Sequence, residues 1–254
     1  MSTAEQPATA APRRERVRAA TIGEIKRAAL QLMRDQGTTD FRFSDIARLL
    51  GMTPPALYRY FGDRDELLTA LIADAYDDLA REVAVARESV SVGDVGGRLL
   101  AVSQAYREWA RREPQRFALI FGLPVPGYTA PEEGPTTEAA RRAMAQLSSI
   151  FVDAAHRRRL RKPLVREVGE ALCRCAAEKH AEDDVDLPAD TFQAMLHAWS
   201  ALHGFTCLET FGHLDWMEPD ARDELFVGQV RLAAKAAGLP APDPPGPPAP
   251  PPPA

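Results

Sequence analysis

Between Gly51 and Leu67 the chain reads GMTPPALYRYFGDRDEL, and its side chains are suited to gripping a polyanion rather than breaking bonds. Tyr58 and Tyr60 offer rings for thymine methyls and hydroxyls for phosphate, and Arg59 between them can meet guanine with two parallel hydrogen bonds. Thr53, Pro54, Pro55 and Ala56 stand just ahead of them, at the helix end from which such contacts are made in a major groove. A compact aromatic core element is the competing reading of the same residues.

Bond-breaking chemistry finds little support elsewhere. The sequence contains no Gly-rich phosphate loop, no nucleophile elbow and no HExxH, so no catalytic residue and no cofactor is expected. CRCAAEKH brings Cys173, Cys175 and His180 close in sequence, but on one helix the two cysteines point to different faces and make a poor metal site. His156, His197 and His213 have no recognisable partners. Three cysteines give no disulfide framework.

The groups between Thr53 and Arg64 need a frame, and helical periodicity supplies one. Thr21 with Glu24 reads as a capping box, followed by Ile22, Ile25, Ala29, Leu32 and Met33 at helical spacing and closed by Gly37. Phe43, Ile46, Ala47 and Leu50 form a helix of barely two turns, stopped by Gly51, which permits a sharp turn. Thr53 then caps a second short helix with proline at its first position, although Pro55 disfavours helical geometry at Pro54, so a start one residue later is the alternative. So short a helix must be held by neighbours, and Leu57 and Phe61, one turn apart, are the anchors. Asp63 and Glu66 cap a longer helix carrying Leu67, Leu68, Leu71, Ile72, Ala75 and Leu79.

Beyond residue 88 further helices are expected over about 98–112, 114–121, 137–159, 163–181, 191–211 and 219–237, with a Pro/Gly-dense loop over 122–135. Strand-like alternation and internal repeats are absent, so the fold class is all-α. Residues 1–20 read as a disordered basic arm with Arg13, Arg14, Arg16 and Arg18, and 238–254 as an extended Pro-rich tail. The 254 residues carry a net charge of −5, which alone argues against a nucleic-acid binder. The distribution argues otherwise: ten Lys/Arg face six Asp/Glu through Gly62, against 21 and 30 in the remainder. No apolar run has the length of a membrane span and no signal peptide is recognisable, so a cytoplasmic protein with no membrane partner is expected.

Residues from about 21 to 75 resemble the DNA-binding domain of the TetR (tetracycline repressor) family, through IKRAALQLMRDQG, FSDIARLLGMTPPALYRYF and DRDELL. The resemblance implies a three-helix helix-turn-helix head over 21–66, joined by a fourth helix to a larger helical ligand-binding and dimerisation domain over 67–237. It implies a homodimer on double-stranded operator DNA, most simply a repressor released by a small-molecule effector. Thr53, Tyr60 and Arg64 fall where the family contacts phosphates, and Pro54, Pro55, Ala56, Tyr58 and Arg59 where it faces bases. Arg42 and Ser44 depart from the family pattern, which usually has a hydroxyl cap at the first position and a basic residue at the second; both are kept as candidate DNA contacts, Arg42 to a phosphate. A helical enzyme or carrier with a structural helix-turn-helix, and a DNA-binding activator without ligand response, are the alternatives.

HAWSALHGFTCLETFG resembles a subgroup with a Trp-x-x-x-His-Gly signature, here Trp199, His203 and Gly204. Trp199 and His203 share a helix face and join Tyr106, Trp109, Phe117, Phe121, Met144, Phe151 and Met195 as candidate pocket lining. Leu202, Phe205, Leu208 and Phe211 with Leu225, Phe226, Val230 and Leu232 are the candidate dimer face, two helices from each subunit forming a four-helix bundle.

Overall fold

The computed structural model describes residues 13–131, 133–183 and 187–243. Ten helices occupy these residues, with no strand among them: α1 (Arg13–Gln36), α2 (Phe43–Leu49), α3 (Pro54–Leu57), α4 (Arg64–Glu88), α5 (Val95–Arg112), α6 (Pro114–Phe121), α7 (Pro135–His156), α8 (Glu170–Asp183), α9 (Ala189–Thr210) and α10 (Pro219–Ala236). They cluster into two compact units. One runs through Ala75 and takes in Gln115–Thr137; the other comprises Tyr76–Pro114 and the chain from Glu138 onward.

The first unit is built on α1 to α3 and the first half of α4. Its core is the expected apolar set: Ile25, Ala29, Met33, Ile46, Leu57, Leu67, Leu68 and Ala75 are buried. Phe41 and Phe61 join them. The unit also claims α6, with Phe117 wholly buried, and the loop after it, whose Val125 is buried and whose Tyr128 hydroxyl lies 3.0 Å from Thr69 Oγ1. A head drawn at residues 21–66 is therefore smaller than this unit.

Two expectations at the chain's start need correction. α1 begins at Arg13, so the part of the supposed disordered arm from 13 to 20 is helical; residues 1–12 lie outside the described residues. Thr21 is consequently mid-helix, and its hydroxyl donates to the Val17 carbonyl at 3.1 Å instead of capping.

In the second unit α5, α9 and α10 pack together, with α8 against α9. Arg107 of α5 is the polar rivet: Nε and Nη2 donate to the two Glu209 carboxylate oxygens, each at 2.5 Å, and Nη1 lies 2.8 Å from Asp223 of α10. Its guanidinium also covers the Phe226 ring at 4.7 Å. Burial would lower its proton affinity, but the hydrogen bonds and charge of Glu209, then of Asp223, outweigh that and leave it above its ordinary value.

The helix expected from 163 does not form until Glu170. Residues 157–169 instead run as irregular chain whose backbone bonds to the end of α10: Arg161 N–H donates to Gly238 O and Leu164 N–H to Ala236 O, both at 2.8 Å. The expected tail also starts later than 238. Gly238, Leu239 and Pro242 are buried, whereas residues 244–254 lie outside the described residues.

Candidate nucleic-acid interface

Two glycine-directed features set the geometry of the α2–α3 turn. Gly51 has φ +63°, a conformation that costs glycine nothing, and the turn closes as a Schellman motif: Gly51 N–H donates to Arg48 O and Met52 N–H to Ala47 O. The chain then leaves α2 at once and enters α3 after four intervening residues.

α3 starts at Pro54, which settles the question of its first residue. Thr53 has the extended backbone of an N-cap, yet its side chain makes no capping bond. The tandem prolines explain this. An N-cap hydroxyl accepts from the second or third helical N–H. Pro55 has no N–H, and the Ala56 N–H donates to the Thr53 backbone carbonyl at 2.9 Å. The Thr53 hydroxyl is thus left to an external acceptor. α3 itself is a single turn, prolonged by turn-like bonds from Tyr60 and Phe61 N–H to Leu57 O.

The element divides as its sequence suggests. Leu57 is fully buried and Phe61 nearly so, whereas Thr53, Pro54, Pro55, Tyr58 and Arg59 are exposed and Ala56 and Tyr60 half-buried. Tyr58 keeps one flank on the Phe43 ring, 5.2 Å between centroids, which orients it without removing it from solvent. Arg42 and Ser44 are exposed at the start of α2, with Arg42 in the N-cap position and no side-chain cap, matching the expected loss of a hydroxyl cap there. Asp63 caps α4 through Glu66 N–H at 2.8 Å, and the Glu66 carboxylate accepts from Gly62 N–H.

Arg64 sits less freely than a phosphate contact suggests. Its Nε donates to Phe41 O at 3.2 Å, its Nη2 lies 2.5 Å from Asp40 Oδ1, and the guanidinium stacks over the Phe41 ring. It ties the start of α4 to the α1–α2 connection. Sequence reasoning missed Arg18. Because α1 extends N-terminal to Thr21, Arg18 reaches α3, donating to Arg59 O at 3.0 Å and lying over the Tyr60 ring at 5.3 Å. The Arg13–Arg18 cluster was the visible signal; its helical state was not.

The candidate pocket residues are dispersed. Trp109, Phe117 and Phe151 have no exposed surface and are core, Trp109 donating from Nε1 to Asp78 at 3.1 Å. Phe117 and Phe121 pair with each other on α6 in the first unit, while Met144 is exposed on α7 and Met195 half-buried on α9. Three others do meet within the second unit. The Tyr106 hydroxyl lies 2.6 Å from His203 Nδ1, and Trp199 stacks on the His203 ring at 4.9 Å and 9°. Cys207 Sγ is 3.3 Å from His203 Nε2. Burial lowers the His203 pKa and raises that of Tyr106, with the Cys207 and Tyr76 charges adding to the latter.

The dimer-face residues split too. Leu202, Phe205, Phe226 and Val230 are buried within the second unit, where the Phe205 and Phe226 rings pack tilted at 5.1 Å. They fill the α9–α10–α5 contact and are unavailable to a partner. Leu208, Phe211, Leu225 and Leu232 remain exposed. Among the described residues no group of His, Cys, Asp and Glu is arranged to hold a metal, and no helix is long and apolar enough to cross a membrane.

Comparison with known proteins agrees with this geometry. Residues 25–71 match a family described as bacterial regulatory proteins of the tetR family, and residues 99–233 one described as the tetracyclin repressor-like C-terminal domain. The HTH-type transcriptional regulator Rv1816 of Mycobacterium tuberculosis is 41% identical over 121 residues, 48% of this chain and 52% of that protein. The chain thus spans about half the length of this curated relative. A second protein of that organism, the uncharacterised HTH-type regulator Rv0681, is 26% identical over 83% of this chain and 78% of its own. Among solved structures, a regulatory protein designated SCO4313 superposes with TM-score 0.69 at 35% identity, covering 88% of this chain and 98% of its own. On the C-terminal match, which spans more than half of the sequence, and on the head that precedes it, the chain belongs to the TetR family.

Proposed function

We propose that the chain is a DNA-binding transcriptional repressor that holds a palindromic operator as a homodimer and releases it when a small molecule binds the second unit. The observation that carries the reading is the division of α3: Leu57 and Phe61 anchor it, while Thr53 to Pro55, Tyr58 and Arg59 face outward on a basic head. The test is fluorescence anisotropy with duplex flanking the gene. Tyr58→Ala/Arg59→Ala lowers specific affinity by roughly 1–3 kcal/mol for the lost base contact. Wild-type affinity falls steeply with salt as counterions are released. Salt-insensitive binding, or unchanged specificity in the double variant, overturns the proposal.

Dimerisation draws support from exposed Leu208 on α9, Phe211 just past its end, and Leu225 and Leu232 on α10. It also draws on an apolar groove of about 280 Å³ where Leu164 and Val165 meet Ala198, Ala201 and Leu232. Two recognition helices then stand one duplex turn, about 34–36 Å, apart. Leu232→Asp yields a monomer by sedimentation; a persistent dimer rejects this face. The effector reading rests on the Tyr106–His203–Trp199 cluster, a polar handle in an aromatic setting. The ligand acts by favouring a head spacing that misfits the operator.

A further inference from the structure

A second cavity, of about 770 Å³, lies where the chain after α7 meets the chain after α10, and its charged lining is entirely cationic: Arg158, Arg159, Arg161, Lys162 and Lys235. All five are exposed, and among the described residues none has a carboxylate partner. This stands out on a chain whose sequence beyond residue 62 is strongly acidic. Clustered cations at helix ends ordinarily serve the terminal carbonyls. Here the last four carbonyls of α10 are already taken by backbone donors: Ala233 by Ala237, Ala234 by Leu239, Lys235 by Gly238 and Ala236 by Leu164. The Asp153, Ala154 and Ala155 carbonyls of α7 are likewise taken, by Arg157, Arg159 and Arg158. The cations are therefore not consumed as caps.

The site is also built. Arg158 adopts φ +54°, a left-handed conformation that L-residues rarely take and that persists where surroundings or function demand it. Gly238 holds the opposite wall: a Cβ there would lie 2.2 Å from Arg161 O, so only glycine lets the two strands of chain cross. Leu239, Pro240 and Ala241 complete the lining with apolar surface. The volume lies within the usual range of small-molecule pockets, roughly 300–1,000 Å³. Arginine forks suit phosphate oxygens bidentately, and five cations exceed what one phosphate needs.

We propose that this cavity binds a nucleotide-sized small molecule carrying two or more phosphates, its phosphates on the cationic wall and its less polar portion against Leu239–Ala241. The site is separate from α3 and independent of the operator reading.

The test is calorimetric titration of the full chain with inorganic pyrophosphate and with ADP in chloride buffer. Both probes bind saturably at one per chain, ADP at least as tightly. Arg159→Ala/Lys162→Ala/Lys235→Ala weakens them tenfold or more, whereas Tyr58→Ala/Arg59→Ala leaves them unchanged. Arg158→Gly guards against misfolding, because glycine fits that backbone: the variant melts no lower than wild type yet binds pyrophosphate several-fold more weakly. Absence of saturable binding overturns the proposal, as does undiminished binding by the triple variant. A triple variant that loses affinity for mixed-sequence duplex while keeping the probes overturns it as well, by assigning the patch to nucleic acid.

Discussion

Replacing Arg107 with methionine removes the cation from a buried ion pair of the second unit and leaves Glu209, whose side chain is 3% exposed, without its bidentate partner. Breaking a buried pair from one side costs about 3–5 kcal/mol, because the remaining charge has lost both water and partner. Two features bear on the figure. The Asp223 arm is 60% exposed and contributes only about 0–1 kcal/mol. The stacking on Phe226 and Phe205 adds about 0.5–2 kcal/mol that methionine partly replaces by packing. Arg107→Met is therefore expected to cost about 4–5 kcal/mol, the upper part of that range, and Asp223→Ala under about 1 kcal/mol. Arg107→Met/Glu209→Leu should recover most of the loss, since an apolar pair of similar volume is often as stable as a buried ion pair. The assay is urea unfolding at one fixed protein concentration, which holds any association contribution constant. A single-variant cost below about 1.5 kcal/mol, or a double variant no better than the single, would refute the claim that Glu209 depends on Arg107.

Two further outcomes follow from the geometry. Thr53→Val should change head stability by less than about 0.5 kcal/mol, against the ~1 kcal/mol of a working cap, while lowering duplex affinity; a melting loss of cap size would contradict the uncapped hydroxyl. His203 has its pKa lowered by burial, so the unfolded chain binds the proton more readily. Its contribution is intact above the unfolded value of about 6.5 and is lost as pH falls through the lower folded value. The melting temperature of wild type relative to His203→Gln should therefore shrink between pH 7.5 and 5, and an unchanged difference would exclude a half-buried ring held neutral.

The head was legible because its signals are local: Gly51 in the turn, the apolar spacing from Ile25 to Ile72, and a cap that works at Asp63. Where local signals misled, a longer-range term won. Thr21 and Glu24 form a capping pattern, yet RRERVRAA before them consists mainly of good helix formers, and nothing local shows that the helix has already begun. Pro163 looks like a first helical residue, but backbone bonds from 161 and 164 to the end of α10 hold that stretch irregular. The apolar residues of α9 and α10 divide between a buried and an exposed set. Periodicity marks a face, and only packing decides whether Phe205 and Phe226 meet each other or a second subunit.

α3 shows how a weak element can be made specific. One helical turn has no stability of its own, and two prolines at its start forgo the side-chain cap that would help. Stability is supplied from elsewhere: Leu57 and Phe61 below, the Gly51 turn behind, Phe43 beside Tyr58, and Arg18 of α1 on the Arg59 carbonyl and the Tyr60 ring. Each brace holds backbone or an inner ring face and leaves the outer polar groups unsatisfied. The prolines contribute in the same sense, since they fix φ at the helix start and leave the Thr53 hydroxyl without an internal donor. The ordering cost of the surface is thus met within the fold, so a molecule docking on Thr53, Tyr58 and Arg59 would meet a surface already arranged.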